Sequence, residues 1–137
     1  IGSFFTYHSS KTTVSIPGES DVVIKKPLLL TIGNLCEWGG GAFIDVDADE
    51  KDGLLELVYA ESKYVPSMLS HIYRVFVTGL KSLPHVTMNK ISYAKIARKK
   101  AVPIQLDGEL FDAGEELEIT VKNKALNVLV PKKKLNK

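Results

Sequence analysis

Apolar and polar residues alternate with a period of two along most of this chain, the repeat expected where side chains point in turn to the two faces of a sheet. Thr13-Val14-Ser15-Ile16 stops at Pro17-Gly18, a turn signal, and Asp21 leads into Val22-Val23-Ile24 and Leu28-Leu29-Leu30-Thr31-Ile32. Gly39-Gly40-Gly41 punctuates the pattern before Ala42-Phe43-Ile44-Asp45-Val46. Further strand-like runs cover Leu54 to Ala60, Val86 to Met88, Ile91 to Ile96 and Val102 to Leu106. Leu117, Ile119 and Val121 then share one face, as do Leu126, Val128 and Val130. The phase changes between Met88 and Ile91, which predicts a bulge or a break there. The residues after Ile1 also read as strand.

One segment has a different period. Val65, Met68, Leu69, Ile72 and Phe76 recur at three- and four-residue steps, which lines one face of a helix over about residues 64–78. Ser62 fits the N-cap, Pro66 an early helical turn and Gly79 the C-terminal stop. His71 and Arg74 fall off the apolar stripe and read as solvated. Many short strands with one helix of about four turns predict a mainly β fold: a two-sheet β-sandwich whose helix covers an edge or an open end. At 137 residues and 45% hydrophobic, the chain has apolar material for one core, so residues 1–137 read as a single domain.

Two Asp-Gly steps each open onto an apolar run: Lys51-Asp52-Gly53-Leu54-Leu55-Glu56 and Leu106-Asp107-Gly108-Glu109-Leu110. Asp-Gly between alternating hydrophobics is a strong turn signal, because glycine accepts positive φ without steric cost. Turn formation does not account for the carboxylate of Glu109 directly after the second glycine, nor for the acids crowded before the first. Asp107 and Glu109, two residues apart, would share a strand face if the local alternation held.

The acidic stretch Asp45-Val46-Asp47-Ala48-Asp49-Glu50-Lys51-Asp52-Gly53-Leu54-Leu55-Glu56 matches an EF-hand loop at its first, third, fifth and twelfth positions. It fails at the sixth, where Glu50 replaces the glycine of the sharp turn, and its flanks read as strands. A hard-cation site built from fewer of these oxygens stays open. Gly39-Gly40-Gly41 lacks the lysine and hydroxyl of a phosphate loop and reads as a flexible turn. There is no Cys/His metal cluster and no nucleophile-elbow motif.

A net charge of +2 is too mild to argue for nucleic acid. Basic residues nonetheless gather at Lys95, Arg98, Lys99 and Lys100 and in a tail of Lys132, Lys133, Lys134 and Lys137. These read either as solvated surface or as contacts to anionic lipid headgroups. The single cysteine, Cys36, allows no intrachain disulfide, which favours a cytoplasmic setting. Pro27 to Ile32 is too short to span a bilayer, and no signal peptide is visible.

Taken in order, Thr31-Ile32-Gly33-Asn34, Gly39-Gly40-Gly41, Ala48 with Asp52-Gly53-Leu54-Leu55, a helix, Asp107-Gly108-Glu109 and Ala125-Leu126-Asn127-Val128-Leu129-Val130-Pro131 resemble one family. It is the C-terminal domain of the diacylglycerol kinase and sphingosine kinase superfamily, nearest its soluble bacterial lipid-kinase members. The resemblance covers nearly the whole chain and implies a fold of two packed sheets.

It also implies a two-domain kinase whose other domain carries Gly-Gly-Asp-Gly-Thr and binds ATP; that motif is absent here. With its start at Ile1-Gly2 rather than methionine, the chain is expected to be the second part of a longer protein and inactive when isolated. By the resemblance, Glu109 accepts the proton of a lipid hydroxyl, with Asp107 as companion acid. Mg²⁺ is implied at Asp52, with the carbonyls of Asp49 and Leu54 as further ligands. Many relatives have a proline six residues before this aspartate, where this chain has Val46. The implied partners are a lipid substrate, a peripheral membrane surface and the ATP-binding domain of the same parent chain, with a homodimer left open. The competing reading is a noncatalytic β-sandwich binding module with a structural Ca²⁺ or Mg²⁺ at the acidic loop.

Overall fold

The computed structural model describes residues 10–34, 36–39, 41–44, 49, 51–127 and 129. The expected first strand before residue 10, Asp45 to Ala48, Glu50, Gly40, Val128, Val130 and the lysine tail lie outside the described residues.

Alternation resolves into two main antiparallel sheets. The first contains β1 (Thr12–Ser15), β2 (Val22–Ile24), β8 (Tyr93–Arg98) and β11 (Glu116–Thr120), in the order β11-β8-β1-β2. The second contains β3 (Pro27–Gly33), β6 (Leu55–Glu61) and β7 (Thr87–Ile91), in the order β3-β6-β7. Two hairpins stand apart from these sheets: β4 (Glu37–Gly39) with β5 (Ala42–Phe43), and β9 (Ile104–Leu106) with β10 (Glu109–Phe111). In the glycine turn of the first hairpin, the Gly41 N–H donates to Glu37 Oε1 at 3.0 Å.

The sandwich core lies between the two sheets. Val14, Ile24, Ala94 and Ile96 from the first sheet meet Leu57 and Ile91 from the second. A second apolar cluster covers the other face of β6 and β7, where Val58, Ala60 and Met88 pack with Ile44, Met68, Val75, Leu80 and Leu83. The second sheet is therefore buried on both faces. That is why β6 reads Leu-Glu-Leu-Val-Tyr-Ala, with Leu57 and Val58 both fully buried.

This double burial corrects the expected phase break. Met88 and Ile91 lie on one continuous strand and face opposite clusters, as residues three apart on a strand must. The break falls instead at Ser92, where the chain leaves β7 for β8 and passes from one sheet to the other.

The helical segment is present but subdivided. A 3-10 turn (Ser62–Tyr64), a five-residue helix α1 (Val65–Leu69), and a second 3-10 stretch (Ile72–Phe76) replace one regular helix. The cause is local. The Ser70 hydroxyl donates to the Ser67 carbonyl at 2.8 Å and the His71 ring lies 3.1 Å from it, while the His71 N–H turns to Met68. Side-chain groups thus take the acceptor that the next α-helical turn requires. Ser62 makes no side-chain cap; its N–H donates to the Lys26 carbonyl.

Interruption changes which side chains are buried. Met68 and Val75 point inward, whereas Leu69, Ile72 and Phe76 of the apolar stripe are exposed. His71 and Arg74 are half-buried rather than solvated, and Arg74 donates to the Ser82 carbonyl at 3.2 Å. Gly79 ends the segment at φ +86°, and a Cβ there would stand 2.9 Å from the Ile44 carbonyl oxygen, so both conformation and space call for glycine. After β11, the expected strand face at Leu126 does not form among the described residues; Leu126 and Leu129 are exposed.

Candidate functional site

The two Asp-Gly turns fold differently. At the first, Asp52 precedes Gly53, whose φ of +76° uses the conformation glycine tolerates. Asp52 Oδ1 accepts the Leu54 N–H at 2.8 Å, and Oδ2 accepts a hydrogen bond from Lys90 Nζ at 2.6 Å. The Asp52 N–H donates to the Asp49 carbonyl at 3.2 Å, and Asp49 Oδ1 accepts the Lys51 N–H at 2.9 Å.

Lys90 reaches this turn because β7 runs beside β6, with Lys90 opposite Glu56 in the register. Its ammonium lies 3.6 Å from Glu56 Oε1 and so stands between two carboxylates, one of them on a nearly fully buried residue. The Lys90 hydrogen bond, helped by the Leu54 N–H, holds the Asp52 carboxyl below its ordinary value of 3.8. Reciprocally, the Asp52 hydrogen bond lifts the Lys90 ammonium above 10.5.

This arrangement bears on the implied metal. Of the expected ligands, Asp52, Asp49 and Leu54 do come together in one turn. Both Asp52 oxygens are nonetheless engaged, one by an ammonium and one by a backbone N–H. Among the described residues no group of three or more His, Cys, Asp or Glu side chains is placed to hold an ion. As it stands, the donor set fits a lysine ammonium; a divalent ion on Asp52 Oδ2 has to displace Lys90. Sequence reasoning missed Lys90, because the signal is a strand register linking residues 38 positions apart.

The second turn is a two-residue hairpin connection. Asp107 at φ +49° and Gly108 at φ +95° both take positive φ, the requirement of a type I′ turn. Glu109 faces Leu106 across the hairpin, Leu110 faces Gln105 and Phe111 faces Ile104. Asp107 therefore belongs to the turn and not to the strand, so the two-residue spacing does not set it on one strand face with Glu109.

Neither the Asp107 nor the Glu109 side chain makes a hydrogen bond or ion pair with another described residue, and both residues are exposed. Leu106, Leu110 and Phe111 beside them are 52, 77 and 44% exposed. A solitary two-stranded hairpin with apolar residues open on both faces is a marginal structure in water. A shallow cleft of about 220 Å³, lined by Lys11, Thr13, Ala97, Arg98 and Lys99, shares no residue with either turn.

Comparisons with known proteins bear on the fold. Residues 1–130 match the family described as the YegS C-terminal NAD kinase beta sandwich-like domain. Among solved structures, one titled a "putative diacylglycerol kinase" from Bacillus anthracis str. Sterne superposes with a TM-score of 0.65 at 16% identity, over 89% of this chain and 42% of that one. Another, titled a diacylglycerol kinase from the same organism, gives a TM-score of 0.60 at 14% identity, over 89% of this chain and 43% of its own. At such identities the likeness is one of fold, and this chain spans less than half the length of either structure. No curated protein sequence matches it.

Proposed function

Because the chain belongs to the family of the YegS C-terminal, NAD kinase-like β-sandwich domain, we propose that it works as the C-terminal domain of an ATP-dependent lipid kinase. The observation that carries this reading is the exposed β9–β10 hairpin, which presents two carboxylates that have no partner among the described residues, on an apolar element that the sandwich leaves uncovered. An ATP-binding domain of the same parent chain is the cover such a hairpin calls for, and Glu109 would then line the cleft between the two.

In the proposed reaction the oxygen of a lipid hydroxyl, such as that of a diacylglycerol, forms a bond to the terminal phosphorus of ATP. The bond from that phosphorus to ADP breaks, and the hydroxyl proton passes to the Glu109 carboxylate. Asp107, two residues away across Gly108, is the companion acid at the turn. Enclosure of the hairpin would exclude water from Glu109 and hold the hydroxyl within reach. Mg²⁺ is a common partner of ATP and neutralises phosphate charge when bound. On this chain Asp52, Asp49 and Leu54 would be its holders, once Lys90 is released from Asp52.

The test is lipid phosphorylation by the full-length parent carrying Glu109→Gln, which keeps size and shape but removes the proton acceptor. Turnover should fall by about a hundredfold or more. The melting temperature should hold, since an exposed substitution changes stability by about 0.5 kcal/mol or less. Near-normal turnover removes Glu109 from the mechanism.

A further inference from the structure

The β9–β10 hairpin pairs with neither main sheet, so its direction is set by the two loops that join it to the sandwich. Residues 99–103 lead in from β8, and residues 112–115 lead out to β11. Both loops spring from one place, because β8 and β11 are paired and Ala97 stands opposite Glu116. Arg98, the last residue of β8, occupies that root.

Arg98 grips both loops. Its N–H donates to the Glu115 carbonyl at 2.8 Å, its Nη1 to the Val102 carbonyl at 2.9 Å and its Nη2 to the Gly114 carbonyl. Val102 lies two residues before β9, and Gly114 three residues after β10. A planar guanidinium can span two carbonyls on separate stretches of chain, whereas a lysine ammonium is a point donor. Among the described residues, no other side chain of the sandwich hydrogen-bonds to either loop. The Arg98 Nε is buried and has no hydrogen-bond partner among the described residues, so the side chain is turned to these carbonyls even though one donor stays unused.

Neither surface charge nor stability accounts for this placement. Lys99 and Lys100 of the same basic run are exposed, while Arg98 is half-buried and directed at backbone oxygens. Val102 and Gly114 are exposed, so water can take the place of the guanidinium at both carbonyls. A hydrogen bond exchanged for one to water contributes little net stability. What the grip does fix is direction. A hairpin tied only through its two loops would swing about its roots, and a misplacement of about 1 Å at a reacting group can cost about a hundredfold in rate.

We propose that Arg98 is a positioning residue for Glu109: by holding both roots of the β9–β10 hairpin, it sets the direction in which Glu109 meets the lipid hydroxyl. The role deepens the kinase reading above and rests on it for the reaction, while the clamp itself belongs to this chain alone.

Two measurements test it, each with Arg98→Lys, which keeps the charge without the fork, and with Arg98→Gln as a second variant. The first is residual dipolar coupling of backbone amides in the 137-residue chain. In wild type, the amides of residues 104–111 should fit the same alignment as those of β8 and β11. In both variants the hairpin couplings should fall by about one-half or more, while the sheet couplings and the melting temperature stay near wild type. The second is lipid phosphorylation by the full-length parent. Arg98→Lys should lower kcat about tenfold or more and leave the KM for ATP within about twofold. In a Glu109→Gln background the same substitution should cost less than about twofold, because a residue acting through Glu109 has nothing left to position.

Hairpin couplings unchanged in both variants overturn the clamp. Loss of the sheet couplings as well assigns Arg98 to the fold and overturns it too. Normal turnover by Arg98→Lys, or a loss undiminished beside Glu109→Gln, overturns the positioning role, since Arg98 then acts on something other than Glu109. Failure of the kinase reading is distinct: the wild-type parent would phosphorylate no lipid, while the hairpin couplings would still decide the clamp.

Discussion

The two Asp-Gly turns share a dipeptide and a positive-φ glycine, yet one is folded into the domain and the other is held away from it. Around the first, both carboxylate oxygens and the N–H of Asp52 have partners, and a Cβ on Gly53 would stand 2.8 Å from Asn123 Nδ2. Around the second, a Cβ on Gly108 would meet nothing within 4 Å, and Asp107 and Glu109 have no partner among the described residues. A carboxylate already satisfied by an internal ammonium is part of the fold. A carboxylate left open on an uncovered apolar hairpin is available to something outside it. The contrast separates structural from chemical acids more sharply than their spacing does.

The largest expected effect tests that division directly. In the full-length parent, Glu109→Gln should cost about a hundredfold in lipid phosphorylation with little thermal change. Asp52→Asn should instead lower the melting temperature, because it removes the charge that Lys90 meets in the first turn. If Asp52→Asn proves as damaging to turnover as Glu109→Gln, the first turn belongs to the catalytic apparatus and the comparison fails.

Backbone substitutions sharpen the same point at a smaller scale. Both glycines hold φ values that cost an L-residue about 1–2 kcal/mol. Gly108→Ala should cost only that strain, because its surroundings are open. Gly53→Ala also has to push the Asn123 amide aside, so it should lose about 1 kcal/mol more. Urea unfolding of the two variants measures the difference, and equal losses would mean that Asn123 yields freely.

Much of this was legible in the chain itself. Period-two alternation located strands such as Val22 to Ile24, and Asp-Gly marked both turns. What escaped was set by contacts distant in sequence. Met88 and Ile91 looked out of phase only because one face of a strand was assumed to be solvated, whereas β7 is covered on both sides. Periodicity predicts a continuous helix because it does not register the Ser70 hydroxyl and His71 ring competing for the Ser67 carbonyl. The family resemblance points to Asp52, Asp49 and Leu54 within one loop but not to Lys90, since only the pairing of β6 with β7 brings it there. Exposure of Glu109 was likewise a property of the hairpin's detachment and not of its sequence.

A third prediction concerns the cation at the first turn. With Lys90 in place, Mg²⁺ must compete with a tethered ammonium for Asp52 Oδ2 and must shed tightly held water to do so. The wild-type chain should therefore gain little melting temperature from millimolar Mg²⁺ or Ca²⁺. Lys90→Gln should start lower, having lost the counter-charge to Asp52 and Glu56, and should recover part of the loss when a divalent ion is added. A large Mg²⁺ shift in wild type that vanishes in Asp52→Ala would show instead that the ion readily displaces the lysine.

The smallest effect is a pH dependence confined to the first turn. Asp52 is held below its ordinary 3.8 by the Lys90 hydrogen bond and then the Leu54 N–H, so folding favours its ionised form. Its contribution is fully present above the unfolded value and is lost as pH falls through the folded one. Lys90 is raised above 10.5 chiefly by the hydrogen bond to Asp52, so its contribution is present below that value and lost as pH rises through the folded one. Asp52→Asn retains an oxygen for the Leu54 N–H but removes the charge that Lys90 needs. The melting-temperature gap between wild type and Asp52→Asn should be level from about pH 5 to 9, then narrow toward pH 3 and again above pH 10.5. The pair is solvent-accessible, so the gap should be small and should shrink in added salt. A gap that persists unchanged at pH 2 would assign the effect of Asp52 to its turn hydrogen bond and take the ion pair with Lys90 out of the fold's stability.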